Sequence, residues 1–308
     1  MANVTTTSQV GPAVETYYDK LLLARARPYL IHTELAQKRA LPAKSGNIVK
    51  FRRYSNLSTA TTPLSEGITP AGQELGKTDM VVSISQFGDY VTITDVVQYI
   101  VEDQVLNEST DILAQQMGES MEELARDMLA STASVQLCSN GTNLGTPTEL
   151  TSIDIKAVVK TLMGNSAKMF TPIIPGENKF GTSPVRQAYW GLASTDILDD
   201  LEACSDFVST SQYPKMQAMD AEWGSTGNVR WLLSPFGYSL SGVYSCFIVG
   251  RDSYGMVELK EGTLKNVYKP LGHGNDPLDQ RCTMGWKTQM ASRLLNDLWL
   301  VNLKCTHS

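Results

Sequence analysis

The residue types that most often do chemistry are few in this chain and poorly spaced for it. Three histidines occur, His32, His273 and His307. A zinc site needs a second His, Cys or carboxylate at helical or hairpin spacing from the first, and none of the three has one, so no metal site is expected. His273 lies in Leu271-Gly-His-Gly-Asn-Asp276, a loop that could carry a general base, but no G-x-S-x-G elbow accompanies it and an irregular connection is the better reading. Neither GxxxxGK[ST] nor a GxGxxG following a strand occurs to cradle a phosphate. Five tryptophans (Trp190, Trp223, Trp231, Trp286, Trp299), with Arg230-Trp231 as a suggestive pair, could stack on a sugar or a nucleotide; core and interface packing accounts for them better. The five cysteines, Cys138, Cys204, Cys246, Cys282 and Cys305, are scattered and odd in number with no CxxC pair, which reads as reduced thiols in a cytoplasmic setting. The reading is therefore a protein that is not an enzyme and has no cofactor.

Composition narrows the classes further. Hydrophobic residues make up 42% and charged ones 19% of 308 residues, as in a soluble globular protein of one elaborated or two ordinary domains. A net charge of −6 argues against a broad basic surface that reads nucleic acid by sequence. The first residues lack the basic and apolar regions of a secretory signal, so the sequons at Asn3, Asn56, Asn107 and Asn140 are read as chance matches. The long charge-free stretch from Leu232 to Gly250 holds Pro235, Gly237, Gly242 and several serines, too polar to cross a membrane.

The charge is unevenly placed. From Lys20 to Arg53 nine basic residues face only Glu34, and from Asp95 to Asp127 nine acidic residues face only Arg126. Two solvated faces would explain this; so would a basic N-terminal segment that docks on an acidic surface of its own chain or of a neighbouring copy, the contact fixing register and steering association.

The elements that must carry these residues follow from periodicity. Helical hints run over Val14–Ala26 and stop near Pro28. Asn47–Tyr54 reads as a strand, and Met80–Thr94 as a second whose apolar parity switches across Gln86-Phe87-Gly88, where it should bend and change partners. Between them Ser55–Asp79 holds five Thr, three Ser, two Pro and three Gly with only isolated apolar residues, too few for a core. Strands and connection together predict a long β-arm, reaching about 30 Å if each strand has ten residues. Leu106–Ser131 is the clearest helix, with Leu113, Met117, Met121, Leu124 and Met128 in one stripe, Asn107 or Ser109 to cap it, Asp111 at the positive end of its dipole, and Glu122–Arg126 as a surface pair. After the turn-rich 139–150, Ser152 opens a helix with Ile155, Val158, Val159, Leu162 and Met163 on one face and Gly164 as its stop; Thr195-Asp196 opens another through Leu201. The region 205–264 reads as loops and short strands, including Tyr244–Gly250 and Met256–Leu259, and Gly285–Lys304 as strands meeting at Asn296-Asp297. Arms, a long amphipathic helix and a second α+β lobe suit a self-assembling structural protein.

The ordered segments also resemble a known family. Asn3-Val-Thr-Thr-Thr7, Tyr17-Tyr-Asp-Lys-Leu-Leu-Leu23, Lys44-Ser-Gly-Asn-Ile-Val-Lys-Phe-Arg-Arg-Tyr54, Thr61-Thr-Pro-Leu-Ser-Glu-Gly-Ile-Thr-Pro70, Gln86-Phe-Gly-Asp-Tyr-Val-Thr-Ile-Thr-Asp95, Asp276-Pro-Leu-Asp-Gln-Arg281 and Gly285-Trp-Lys287 resemble the major capsid proteins of tailed double-stranded-DNA bacteriophages, in the branch of the N4-like phage coat proteins. Members often carry His-Pro-Asp where this chain has Ser194-Thr195-Asp196. The resemblance implies the α+β Johnson fold: an N-arm over 1–45, an extended loop over 46–79, a peripheral domain of 80–150 and 265–308 with the spine helix 106–131, and an axial domain over 151–264.

The resemblance further implies self-assembly as hexamers and pentamers into an icosahedral shell, built in the host cytoplasm. Its partners would be a portal protein at one vertex, a separate scaffolding protein, a cement or decoration protein, and packaged DNA held without sequence readout. The residues expected to meet neighbouring subunits are Lys50, Arg52, Arg53, Leu57, Leu64, Glu66, Ile68, Leu75 and Lys77. Two alternatives stand beside this reading, a virion protein forming rings or tubes and a soluble enzyme with a deep titratable pocket.

Overall fold

The computed structural model describes residues 30–41, 46–63, 66–67, 69, 71–96, 105–172, 185–214, 218–219, 221–259, 265–272 and 276–307. The helical hints at Val14–Ala26 and the His273 loop residue lie outside them. In chain order come β1 (Gln37–Leu41), β2 (Ile48–Tyr54), β3 (Lys77–Ser83), β4 (Ser85–Thr94), the long helix α1 (Val105–Ala130) and β5 (Val135–Leu137). The middle of the chain forms α2 (Ser152–Gly164), β6 (Tyr189–Ser194), α3 (Leu198–Ala203), β7 (Phe207–Ser209), β8 (Glu222–Thr226) and β9 (Val229–Ser234). It closes with β10 (Ser239–Leu240), β11 (Val243–Val249), β12 (Tyr254–Leu259), β13 (Lys265–Lys269), β14 (Arg281–Leu294) and β15 (Leu300–Thr306).

Three sheets result. A five-stranded sheet runs β1-β12-β14-β13, with β4 also on β14; an eight-stranded sheet runs β5-β15-β11-β6-β9-β8-β7, with β10 on β11; β2 and β3 form a ribbon by themselves. Helix α1 lies across the five-stranded sheet. Leu113, Ala114, Met117 and Met121 of its inner face pack with Met256, Met284, Trp286 and Met290, because alternate residues of β14 point at the helix. At 1.5 Å per residue the helix is a rod of about 39 Å. It starts at Val105, so Asn107 and Ser109 lie within its first turns instead of capping it. The expected stripe is right at Leu113, Met117 and Met121 but drifts beyond them: Ala125 and Leu129 are buried while Leu124 and Met128 are only half-buried. Glu122, expected on the surface with Arg126, is also buried. Arg126 pairs with Asp127 at 2.8 Å and Glu123 at 3.7 Å.

The eight-stranded sheet holds the largest core. All six residues of β6 and all six of β9 are buried, since side chains of both faces are covered. On one face α2 contributes Ile155, Val158 and Leu162, joined by Leu201 of α3, Trp231, Ile248 and Val301. Gly191 is required opposite Trp231, because a Cβ there would collide with the indole ring. Helix α2 is capped by Thr151, whose hydroxyl accepts from the Asp154 amide, one residue before the expected Ser152; it runs through Gly164, and Met163 is exposed, off its apolar face.

The strand that begins at Lys77 does change partners, two residues earlier than the parity switch indicated. It breaks at Ile84; β3 belongs to the ribbon and β4 pairs with β14. The C-terminal strands, by contrast, do not form a hairpin at Asn296-Asp297. Leu295 and Asn296 donate their amides to Ser253 O, Asn296 caps a short turn over Asp297–Trp299, and the chain crosses from the five-stranded sheet (β14) into the eight-stranded one (β15). Sheet membership therefore cuts across the expected lobe boundaries. β12 joins the sheet under α1, and β5 and β15 join the sheet of the second lobe.

Candidate assembly surface

The ribbon is built from two seven-residue strands in register from Ile48↔Ser83 to Tyr54↔Lys77, a span of about 23 Å instead of the expected 30. Its root has an apolar face: Val49 and Phe51 of β2 with Met80 and Val82 of β3 pack on Val257, Leu295 and Ala291. Gly255 leaves room for the Phe51 ring, which would meet a Cβ there at 2.9 Å, and the Arg39 guanidinium lies 4.7 Å from the ring centroid.

Beyond this root the ribbon leaves the body. Every described side chain from Arg52 to Pro63 and from Ala71 to Asp79 is exposed. Ser55 donates its amide to Gly76 O at 2.9 Å. Further out, Ser58 Oγ donates to Gln73 Oε1 and Gln73 Nε2 to Ser58 O, so the two chains stay joined past the last ladder pair.

The expected contact residues fall on this ribbon. Lys50, Arg52, Arg53, Leu57, Glu66, Leu75 and Lys77 are all exposed, Leu57 and Leu75 to 52% and 63%; Leu64 and Ile68 lie outside the described residues. Alternation puts Ile48, Lys50, Arg52 and Tyr54 together with Lys77, Asp79 and Val81 on the outer face. Ile48, Tyr54 and Val81 are further exposed apolar residues on this face, readable from strand parity alone. Arg52 Nε donates to Asp79 Oδ1 at 2.9 Å, directly across the register, and this hydrogen bond holds the Asp79 carboxyl below the ordinary carboxylate range.

Residues 31 and 32 dock on the acidic helix through one buried carboxylate. Glu122 accepts the backbone amides of Ile31 at 3.2 Å and His32 at 3.0 Å, and His32 Nδ1 lies 2.5 Å from Glu122 Oε1, with both side chains buried. Tyr254 Oη donates to His32 O at 2.6 Å. Of the described basic residues, Lys38 pairs with Glu34, Arg39 with the Phe51 ring and Arg52 with Asp79. Of the tryptophans, Trp190, Trp231 and Trp286 are in the core as expected, and the Arg230 guanidinium stacks within 4.7 Å of Trp190 while paired with buried Glu222. Among the described residues no group of three or more His, Cys, Asp or Glu is placed to hold a metal, and no helix is long and apolar enough to cross a membrane.

No protein-family model and no curated protein matches the sequence. Solved structures do match the fold over most of the chain. The capsid of Ralstonia phage GP4 has a TM-score of 0.68 at 12% identity, covering 90% of this chain and 88% of that one. The capsid of cyanophage Pam1 has 0.60 at 15% identity, covering 92% of each chain. An encapsulin from Synechococcus elongatus has 0.57 at 10% identity, covering 88% and 85%. The chain as a whole thus has the α+β fold of these phage capsids, the Johnson fold that the sequence segments resemble.

Proposed function

We propose that this chain is the major capsid protein of a tailed phage, a subunit that closes a shell by laying its ribbon on neighbouring copies. The observation that carries this reading is the ribbon itself: a two-stranded element with an apolar root, then more than twenty residues whose described side chains are all in water. An isolated ribbon is marginal on its own account, and ordering it costs about 1–2 kcal/mol per residue. A neighbour's surface supplies the missing burial, at about 1.5–3 kcal/mol for each large apolar side chain that becomes covered. Leu57 and Leu75, with Leu64 and Ile68, provide apolar contact; Lys50, Arg53, Glu66 and Lys77 provide charge to set register.

In this reading the subunits form hexamers and pentamers of an icosahedral lattice, with a portal protein at one vertex, a separate scaffolding protein during assembly in the host cytoplasm, and a cement or decoration protein outside. Residues 1–45 form the N-arm, 46–79 the extended loop, the sheet under α1 the peripheral domain and the eight-stranded sheet the axial one. DNA is confined within, its contacts weak and screened by salt, since a net charge of −6 provides little for phosphate attraction.

Expression with the candidate scaffolding protein, followed by negative-stain microscopy, tests the reading. Closed particles of mixed five- and sixfold packing are expected, and rings or tubes of one symmetry would favour the other virion role. The double reversal Arg52→Glu, Arg53→Glu should lower particle yield at least several-fold and change its salt dependence while the subunit stays folded. An unchanged yield at every salt concentration would remove electrostatic docking from the account.

A further inference from the structure

The three thiols of Cys138, Cys246 and Cys305 come together in the core of the eight-stranded sheet, Cys138 one residue past β5, Cys305 on β15 and Cys246 on β11. Cys305 is on the middle strand. Its Sγ is 3.6 Å from that of Cys246, and Cys138 lies in the same core cluster. The two neighbours are not equivalent. β5 and β15 are parallel with Leu137 opposite Lys304, so the register continued by one residue sets Cys138 directly against Cys305; the Cys138 amide also donates to Lys304 O at 2.8 Å. β11 and β15 are antiparallel with Tyr244 opposite Cys305, so Cys246 is a diagonal neighbour. Directly paired residues stand about 4.8 Å apart across a sheet, inside the Cα range of about 4.4–6.8 Å that a disulfide accepts. Diagonal neighbours stand about 7–8 Å apart, at or beyond its limit.

We propose that Cys138 and Cys305 form a latent disulfide site, with Cys246 as an adjoining thiol that stays reduced. Contact with the Cys305 sulfur together with burial pushes the Cys138 and Cys246 thiols up, so both rest protonated. All three are fully buried, which keeps them reduced until the sheet opens. The way in is β5, an edge strand of three residues whose separation from β15 uncovers both sulfurs at once. With diamide as the oxidant both S–H bonds break and one S–S bond forms, and the two protons and two electrons pass to the azo bond, giving the hydrazine. A closed bond would tie β5, which follows the long helix, to β15 at the other end of the sequence, a covalent brace through a subunit that later leaves a reducing interior.

The test uses the full chain in native buffer. After diamide treatment it is unfolded in N-ethylmaleimide, digested without reductant and analysed by mass spectrometry. Five labels before oxidation, one per free cysteine, should fall by two, with the Cys138 and Cys305 peptides linked and dithiothreitol restoring the original count. Cys204, whose Sγ donates to Asp200 O, and Cys282, buried in the other sheet, should keep their labels and serve as internal controls. The Cys246→Ala variant should still lose two labels, and Cys138→Ala should lose none. Retention of all five labels by the wild type overturns the proposal. A link only between Cys246 and Cys305, or label loss that persists in Cys138→Ala, overturns the choice of partner.

Discussion

Two arginine–carboxylate pairs bridge neighbouring antiparallel strands in this molecule, and they show what the two kinds of sheet are for. On the ribbon Arg52 meets Asp79 at 2.9 Å with 49% and 29% of the side chains still in water. In the eight-stranded sheet Arg230 meets Glu222 through two 2.6 Å contacts with 6% and 0% exposed. The Arg230 guanidinium lies near the Trp190 and Tyr213 rings, and Glu222 Oε2 also accepts the Met219 amide at 2.9 Å. The chemistry is the same and the solvent differs. An exposed pair contributes little and is screened by salt, whereas one partner of a buried pair cannot be removed without leaving a charge stranded. The second lobe is therefore held by interactions inside the subunit. The ribbon leaves its groups in water.

The largest effect should follow from breaking the buried pair. Glu222→Ala should destabilise the subunit by about 3–5 kcal/mol in urea unfolding, since the buried Arg230 guanidinium loses both of its contacts to that carboxylate. Asp79→Ala on the ribbon should stay within about 0.5 kcal/mol of wild type. Equal losses at the two sites would mean that the ribbon is part of the subunit's own cooperative core.

A middle-sized effect is expected where the N-terminal segment meets α1. Glu122→Ala strands the Ile31 and His32 amides and should cost about 1–3 kcal/mol. Hydrogen exchange at those two amides should speed up more than anywhere in the eight-stranded sheet. Unchanged protection of Ile31 and His32 would show that the segment is held by packing without the carboxylate.

Replacing residues 55–76 by an Asn-Gly turn removes ribbon that makes no core, so subunit stability should change by less than about 0.5 kcal/mol. Assembly should nonetheless fail or give fragile particles. In the intact chain, amides of the outer ribbon should be protected in particles and not in free subunits. Equal protection in both states would mean that the ribbon is ordered by its own chain.

The smallest effect is a titration. Arg52 lowers the Asp79 carboxyl below its unfolded value, so the pair's contribution is present above the unfolded pKa and is lost as pH falls through the lower folded one, beneath the ordinary carboxylate range of about 4. Arg52→Gln should move the Asp79 carboxyl back up toward that ordinary value, as followed by carbon-detected NMR. No movement would show that the pair does not persist in solution.

Much of the ribbon and the long helix was legible because each shows its period to water on one side. Alternation marked β2 and β3, a polar stretch without enough apolar residues marked the span between them, and Leu113, Met117 and Met121 marked the helix. The exposure of the expected contact residues was legible for the same reason: side chains left in water show their composition directly, and composition is local. The strands β6 and β9 were not legible, because Tyr189–Ser194 and Val229–Ser234 are covered on both faces and a strand buried on both faces has no alternation to read.

What tertiary structure alone decided is which distant residues share a volume. Glu122 has the sequence neighbours of a surface carboxylate, and only the return of His32 from ninety residues away makes it a buried acceptor. Asn296-Asp297 has the look of a hairpin turn, yet the amides of Leu295 and Asn296 are taken by Ser253, so β14 and β15 part into different sheets. Cys138, Cys246 and Cys305 follow no spacing rule, and strand order brings their sulfurs together. Periodicity and composition are properties of a few consecutive residues set against solvent. Partnership across a sheet depends on strand order and register, which are settled by the whole set of competing contacts and written in no single segment.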